Sequence, residues 1–548
     1  MTFHYHTKRQ SQTLPFFQTA IAVFILLTCL APHLLAEKNN TPSPKSPPPN
    51  SAESKSSAAY QTGAAYQTSL ASITAETLKE HVYYLADDRL QGRKPGTEGG
   101  RAAGEHIATE FKKYGLAPGD ADAEADYFQP FTNKFRNVLA ILPGSDPQLK
   151  DEVIVIGAHY DHLGAHRSGK VCNGADDNAS GTAGLLELAE AFTLLPTPPR
   201  RTILFAAWDG EESGLLGSLH WVKHPSPTDA NVVFALNMDM IGRLRDNKLS
   251  IHASRSGYGM RRLLSTINSD LTLEFKQNIR MCSDHWSFYC DNVPAIMFNT
   301  GRHQELHSPQ DDAELINDTG MRRITQLVFE TANKLANADE VPAFRETSHN
   351  ERTEPSDHPV GQFSAKSRNR LGADWWINSN YDGGEVRLYN IRHDCPAWHA
   401  SLVSGDCVIS LAGKSIKTTA DMEAAVLTAA TSAEIVVRRD GTPEPLELSV
   451  KLPGKPMKLG VFWRSDEAEP GTVVVGHVVP GTPAAQAGLQ SGDRIYRLNG
   501  KRFKDDAEFS KRIADHQGPL KMLVEHDGIL RTVEVWAMEV ARANNEGS

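Results

Sequence analysis

Only one long hydrophobic run occurs in the 548 residues, and it lies at the N-terminus. Every other apolar stretch is too short to span a bilayer, so any membrane attachment is confined to the first residues. There is no extended Lys/Arg run. With 57 basic and 67 acidic residues, the formal net charge is −10. That balance speaks against non-specific binding to nucleic acid or anionic lipid. Cysteine is scarce, at six residues. Cys29 sits in the N-terminal run, which leaves Cys172, Cys282, Cys290, Cys395 and Cys407. Five is odd, so at least one thiol stays unpaired within the chain. Cys282 with Cys290, and Cys395 with Cys407, are close enough in sequence to be disulfides.

The N-terminal run follows Lys8 and Arg9, reads "LPFFQTAIAVFILLTCLAPHLLA" and reaches the small residue Ala36. Residues 1–36 therefore read as an export signal or an uncleaved N-terminal anchor. "LLTC" resembles a lipoprotein box, with Thr28 where a smaller residue is usual. An exported protein, periplasmic or extracellular, is expected. Residues 37–72 are rich in Pro, Ser, Ala and Asn and read as a disordered tether. A second polar stretch, within 341–364, reads as an interdomain linker.

Between these segments, residues 73–340 alternate two patterns. "NVLAIL", "VIVIGA", "RTILFAAW" and "VVFALN" are short apolar runs suited to buried strands. "GRAAGEHIATEFKKYGL" places Ala103, Ile107 and Phe111 four residues apart, and "GTAGLLELAEAFTLL" and "GMRRITQLVFETANKLA" are also helical. Alternating strands and helices imply an α/β sheet, mostly parallel at its centre.

The C-terminal part is a repeat. "PAWHASLVSGDCVISLAGK" (396–414) and "PAAQAGLQSGDRIYRLNGK" (483–501) share ten of nineteen positions, with "RLGADWW" and "KLGVFW" upstream. Two small β-rich modules follow, at 365–453 and 455–541. The Leu-Gly loop, the "AGL" helix end, "GDxI" and "NGK" resemble PDZ domains. The resemblance is better in the second copy, and it implies a site for C-terminal peptides at Leu459, Gly460, Val461 and Phe462. The first copy departs, with Ala400-Ser401-Leu402 and Ala412-Gly413 at the motif positions.

Histidines and carboxylates gather just after the buried runs. "VIVI" leads to "GAHYDHLG", with His159, Asp161 and His162. "NGADDNASG" carries Asp176 and Asp177. "RTILFAAW" leads to "DGEE", with Glu211 and Glu212. "VVFALN" leads to Asp239, and "ELHSPQDD" brings His307. Each has an ordinary explanation alone: turn polarity, helix capping or a dipole partner. Together, at the C-terminal ends of strands where open α/β sheets bind ligands, they supply the nitrogen and oxygen donors of a two-metal site. His162, His285 and His303 are competing donors.

The series "GAHYDHLG … NGADDNASGTAG … AWDGEESGLLGS … NMDMIGR … SDHWSF … LHSPQDD" resembles the di-zinc exopeptidases of metallopeptidase family twenty-eight, typified by secreted bacterial leucine aminopeptidases. The resemblance spans about Leu78 to Ala336. It implies a phosphorylase/hydrolase-like three-layer sandwich, two Zn2+ per chain and peptide substrates with a free N-terminus. It assigns His159 and Asp239 to one zinc, Glu212 and His307 to the other and Asp176 as the bridge. Glu211 becomes general base and Asp161 the carboxylate that orients His159, while Asp177 shapes the turn. Leu306 stands where many relatives carry Tyr, so no oxyanion residue is assigned.

Three alternatives stand beside an aminopeptidase. One is a carboxypeptidase on the same scaffold. Another is a catalytically inactive peptide-binding protein, which loss of ligands would mark. Glutaminyl cyclase relatives lack the first histidine, and His159 argues against them. No "GNSGG"-type nucleophile loop occurs, which excludes the serine proteases that also carry PDZ modules.

Overall fold

The four apolar runs lie side by side in one sheet. The computed structural model describes residues 63–119, 126–167, 169–228, 230–351, 370–378 and 385–536. The segment expected as signal or anchor, and residues 37–62 of the expected tether, lie outside them. The strands are β1 (Arg136–Leu142), β2 (Glu152–His159), β3 (Thr202–Trp208), β4 (Asn231–Met238), β5 (Lys248–His252), β6 (Thr272–Phe275) and β7 (Ala295–Asn299). Their order is β1-β3-β2-β4-β7-β5-β6, and two short strands, Ala117–Pro118 and Phe128–Pro130, pair with β1. β3, β2, β4 and β7 are mutually parallel. β1 is antiparallel to β3, and β5 to β7.

The period of two along β2 divides the core. Ile154, Ile156 and Ala158 face α2 (Ala75–Leu85), α3 (Glu98–Lys113), α4 (Gly181–Thr193) and α8 (Asp318–Asn337). Val153 and Val155 face the opposite layer, with Trp221 of α5 (Leu216–Lys223) and Phe288 of α7 (His285–Cys290). The result is the expected three-layer sandwich with a mixed, centrally parallel sheet. Capping marks the helix starts: Thr74, Thr97 and Asn317 each accept a backbone N–H of the first turn. Because the central strands are parallel, His159, Asp239 and the Glu211 turn are delivered to one edge.

Two expected boundaries move. Residues 64–72, read as tether, form helix α1 (Ala64–Ser72), whose Tyr66 is buried with its ring centroid 5.8 Å from that of Phe329. Tyr66, the buried Ser69 and the Leu70 carbonyl, which accepts from Gln326, fix a segment whose overall composition is that of a linker. The start of the expected linker is also fixed. Arg345 is fully buried, donates to the Arg255 carbonyl and pairs with Glu351. Residues 352–364 of that linker lie outside the described residues.

The two C-terminal modules are antiparallel sheets with separate cores. The first contains β8 (Asp374–Asn378) and α9 (Thr419–Thr428), and the second β9 (Val461–Ser465) and α10 (Asp506–Asp515). β8 and β9 are edge strands. None of the five cysteines of the described residues is in a disulfide, so neither expected pair, Cys282 with Cys290 or Cys395 with Cys407, forms. The Cys395 sulfur serves in capping: it accepts from Trp398 N–H and donates to the Gly372 carbonyl.

The last module is docked on the first domain. Arg261, on α6 (Met260–Ile267), makes a two-pronged pair with Glu525 at 2.8 and 2.9 Å. Asp466 lies between Arg255 and Arg494. Backbone bonds run from Gly259 to the Ala468 carbonyl and from Leu273 to that of Asp527. The two small modules also touch each other, through Ala424 and Leu427 of α9 against Val479, Met457 and Phe462.

Candidate metal centre

β2 ends at His159, and the next residues turn under the control of Arg93. This guanidinium is fully buried and donates to the carbonyls of Leu85, Tyr160, Asn173 and Gly174. It ties the His159–His162 segment to the Gly174–Asp177 segment. Burial pushes its pKa down to about 10. Nothing in its sequence context, "LQGRKPGTEGG", marked it.

The two segments meet at Asp177, not Asp176. Asp177 Oδ1 lies 3.4 Å from His159 Nε2, and Asp177 Oδ2 lies 2.9 Å from His307 Nε2. One carboxylate thus faces two histidines in opposite directions. Asp176 turns the other way. Its Oδ1 accepts from Gly242 N–H at 2.7 Å and from the Ser180 hydroxyl, and its Oδ2 faces His303 Nε2 at 3.2 Å. The expectation of Asp176 as bridge is corrected accordingly. The first aspartate of "HSPQDD" was not singled out either, yet Asp311 accepts the backbone N–H groups of both Asp176 and Asp177.

Around Asp177 the donors form two groups. His159, Asp177 and Asp239 make one, with His159 Nε2 at 3.7 Å from Asp239 Oδ1. His162, Asp177 and Glu212 make the other, and His307 Nε2 stands 3.6 Å from Glu212 Oε2. Buried atoms here lack hydrogen-bond partners: His159 Nε2, Asp239 Oδ1, Glu212 Oε1 and both ring nitrogens of His162. Leaving such atoms unpaired is costly, and they converge on two points. The donor set, imidazole with carboxylate, suits zinc. His285 is not among them: it is fully buried on α7 beside His252, and burial lowers its pKa to about 3. His303 is bound to Asp176 and Glu305.

Asp161 reaches two partners. Its carboxylate accepts Glu211 N–H at 3.0 Å and Glu212 N–H at 3.3 Å, and stands 3.7 Å from His159 Nδ1. The closer partner of that ring nitrogen is the Asp161 carbonyl, at 3.2 Å. Asp161 therefore positions the Glu211–Glu212 turn more directly than the imidazole.

The electrostatics follow from the crowding of acids. Burial, with the carboxylates of Asp284, Asp239 and Glu212, pushes the Glu211 carboxyl well above its ordinary range, against the pull of His159. Burial raises Asp284 to about 7. Burial disfavours charge on His159, yet Glu211, Asp161, Asp177 and Asp239 hold its pKa well up. Such ligands bind a metal only when deprotonated, so a dication bound here would release protons.

Residues 137–332 match the model of peptidase family M28, and residues 474–525 match a PDZ domain. A probable glutamate carboxypeptidase of Arthroderma benhamiae is 33% identical over 150 residues, 27% of this chain and 19% of that protein. A probable zinc metalloprotease of Pyrenophora tritici-repentis is 37% identical over 180 residues, 30% of this chain and 36% of the relative. A probable leucine aminopeptidase of Arthroderma otae is 28% identical over 227 residues, 37% of this chain and 58% of the relative. The chain thus spans less than two thirds of the length of each of these relatives.

Proposed function

We propose that the first domain, whose core is a peptidase family M28 domain, makes this chain a zinc exopeptidase that removes N-terminal residues from peptides. The observation that carries this reading is the Asp177 carboxylate, set between two groups of unpartnered donors. His159 and Asp239 would hold one zinc, Glu212 and His307 the other, and Asp177 both. Two zincs there would supply Lewis acidity to the scissile carbonyl and to the attacking water.

The remaining work falls to the protein. Glu211 makes no ligand contact in this assignment. As the carboxylate next in the chain to Glu212, it is placed to take a proton from water and return it to the departing amine. Asp161 fixes the Glu211 backbone, so the carboxylate is held rather than swinging. The excess of acids suits a substrate ammonium group. The last module adds a second contact. An extended peptide pairs with the free edge of β9, and its terminal carboxylate meets the N–H groups of Leu459 to Phe462. Export, by the N-terminal segment, completes the reading. Among the described residues no helix is long and apolar enough to cross a membrane.

A carboxypeptidase is the second reading, favoured by the relative 33% identical over 150 residues. Zinc analysis combined with paired peptides, one N-acetylated and one C-amidated, separates the two. An aminopeptidase cleaves only peptides with a free N-terminus and tolerates the amide. Cleavage of N-acetylated peptides together with loss on amidation overturns it.

A further inference from the structure

His162 lies three residues beyond His159 and is absent from the ligand set above. It is fully buried, and neither ring nitrogen has a hydrogen-bond partner. A neutral imidazole holds one donor and one acceptor, and a buried one without partners is expensive. Its Nδ1 stands 2.7 Å from Glu212 Oε1 and 4.0 Å from Asp177 Oδ2. At 2.7 Å an N–H aimed at the oxygen would be a hydrogen bond, but none forms, and Glu212 Oε1 is itself unpartnered. The nitrogen therefore points beside the oxygen, not at it. Two ligands of a common ion are aimed in this way, past each other at a shared point. With zinc bonds of about 2.0–2.2 Å, tetrahedral donors lie about 3.4 Å apart, between the 2.7 and 4.0 Å found here, and the donor atoms of His162, Asp177 and Glu212 all lie within 4.8 Å of one another.

The position of His162 is over-determined. Its N–H reaches the Arg93 carbonyl, while the Arg93 guanidinium holds the carbonyls of Tyr160, Asn173 and Gly174. The ring lies flush on Gly174, where a Cβ would come within 2.5 Å of His162 Cδ2 and where φ is +58°. No side chain fits there, so the ring cannot be crowded off the site. His307 differs: its side chain is 48% exposed.

We propose that His162 is a ligand of the second zinc, together with Asp177, Glu212 and His307. This rests on the two-zinc reading and deepens it. The second ion then has four protein ligands, and the first has three: His159, Asp177 and Asp239. A closed set of four is the mark of a retained ion, whereas three leave a position for water or substrate. The first ion is thus the one open to exchange, and the buried His162 secures the second alongside the half-exposed His307.

The test uses the full chain loaded with zinc. Anomalous diffraction at the zinc edge locates the ions, and chelator competition measures each affinity in wild type, His162→Asn and His162→Phe. Expected are a His162 ring nitrogen about 2.1 Å from a zinc and, in both variants, one zinc unchanged and one weakened about 100-fold or more. A zinc at Asp177 and Glu212 whose contact sphere excludes His162 overturns the proposal and leaves the two-zinc reading intact. So do two zincs of wild-type affinity in either folded variant. Wild-type protein with no zinc at Asp177 overturns both.

Discussion

Asp311 grips the Asp176–Asp177 pair from 135 residues further along the chain, its carboxylate 3.1 Å from the first N–H and 3.0 Å from the second. Both amide protons are thereby spent, and the two side chains are sent to opposite sides. Asp177 goes to the donors and Asp176 to His303, Ser180 and Gly242. Asp177→Ala is expected to lower zinc content at both positions and abolish turnover. Asp176→Asn is expected to retain both zincs, since its partners lie outside the donor groups. Elemental analysis after gel filtration distinguishes them, and the reverse pattern restores Asp176 as the bridge.

Glu211→Gln keeps shape and leaves the donors alone but removes the proton acceptor. Turnover should fall by about 10²–10⁴-fold with zinc content unchanged. Steady-state rates on an aminoacyl chromogenic substrate provide the readout. Near-normal activity would assign the proton transfer elsewhere.

Arg261→Ala should cost about 3–5 kcal/mol, because it strands a fully buried Glu525 carboxylate between two domains. Urea unfolding of the full chain measures this. A loss below 1 kcal/mol would mean that water replaces the guanidinium.

The same interface gives a pH dependence. Burial tends to raise the Asp466 carboxyl, but Arg255 and Arg494 hold it well below the ordinary carboxylate range. Arg261 likewise holds Glu525 down against burial. Depressed folded pKa values stabilise above the unfolded values of about 3.9 and 4.3, and that stability is lost as pH falls through the folded values. Docking of the last module should hold from neutral pH down to about 4 and weaken below it. Limited proteolysis between the modules across that range follows the change. Equal protection at pH 3 and pH 7 would contradict it.

Peptide binding to the last module is best probed away from Gly460. That residue has φ +75° and its Cβ position is within 2.2 Å of Thr482, so any replacement disturbs the loop itself. Ser510 is exposed on α10 and lines the groove beside β9. Ser510→Arg should reduce affinity for peptides with free C-termini about tenfold or more, since about 1.4 kcal/mol of lost contact suffices. Hydrolysis of small substrates should be unaffected. Calorimetry that detects no wild-type binding across a diverse C-terminal library would make the module purely architectural.

Much of this was legible in the chain. β1, β2, β3 and β4 announce themselves as unbroken apolar runs, because strands covered on both faces need no polar alternation. The donors announce themselves by following those runs. The choice between Asp176 and Asp177 was not legible, since adjacent aspartates have the same composition and context. A contact with Asp311 decides it, and such contacts leave no local trace. Arg93 stayed hidden for a related reason: a buried cation satisfied by carbonyls reads in sequence as ordinary surface polarity. The docking of the last module was equally silent, because Arg261, Glu525 and Asp466 are indistinguishable from solvated charges until the two surfaces meet.

That docking has a metrical consequence. With Arg261 on Glu525 and Asp466 between Arg255 and Arg494, the β9 groove stands at a set span from the Asp177 centre rather than trailing on a loose tether. For a peptide anchored by its C-terminus, the local concentration of its other end at the metals is then a function of its own length. It vanishes for chains too short to bridge the gap, peaks where the contour matches it and declines slowly beyond. The molecule is in this sense a ruler, and a ladder of peptides differing only in length would read its graduations.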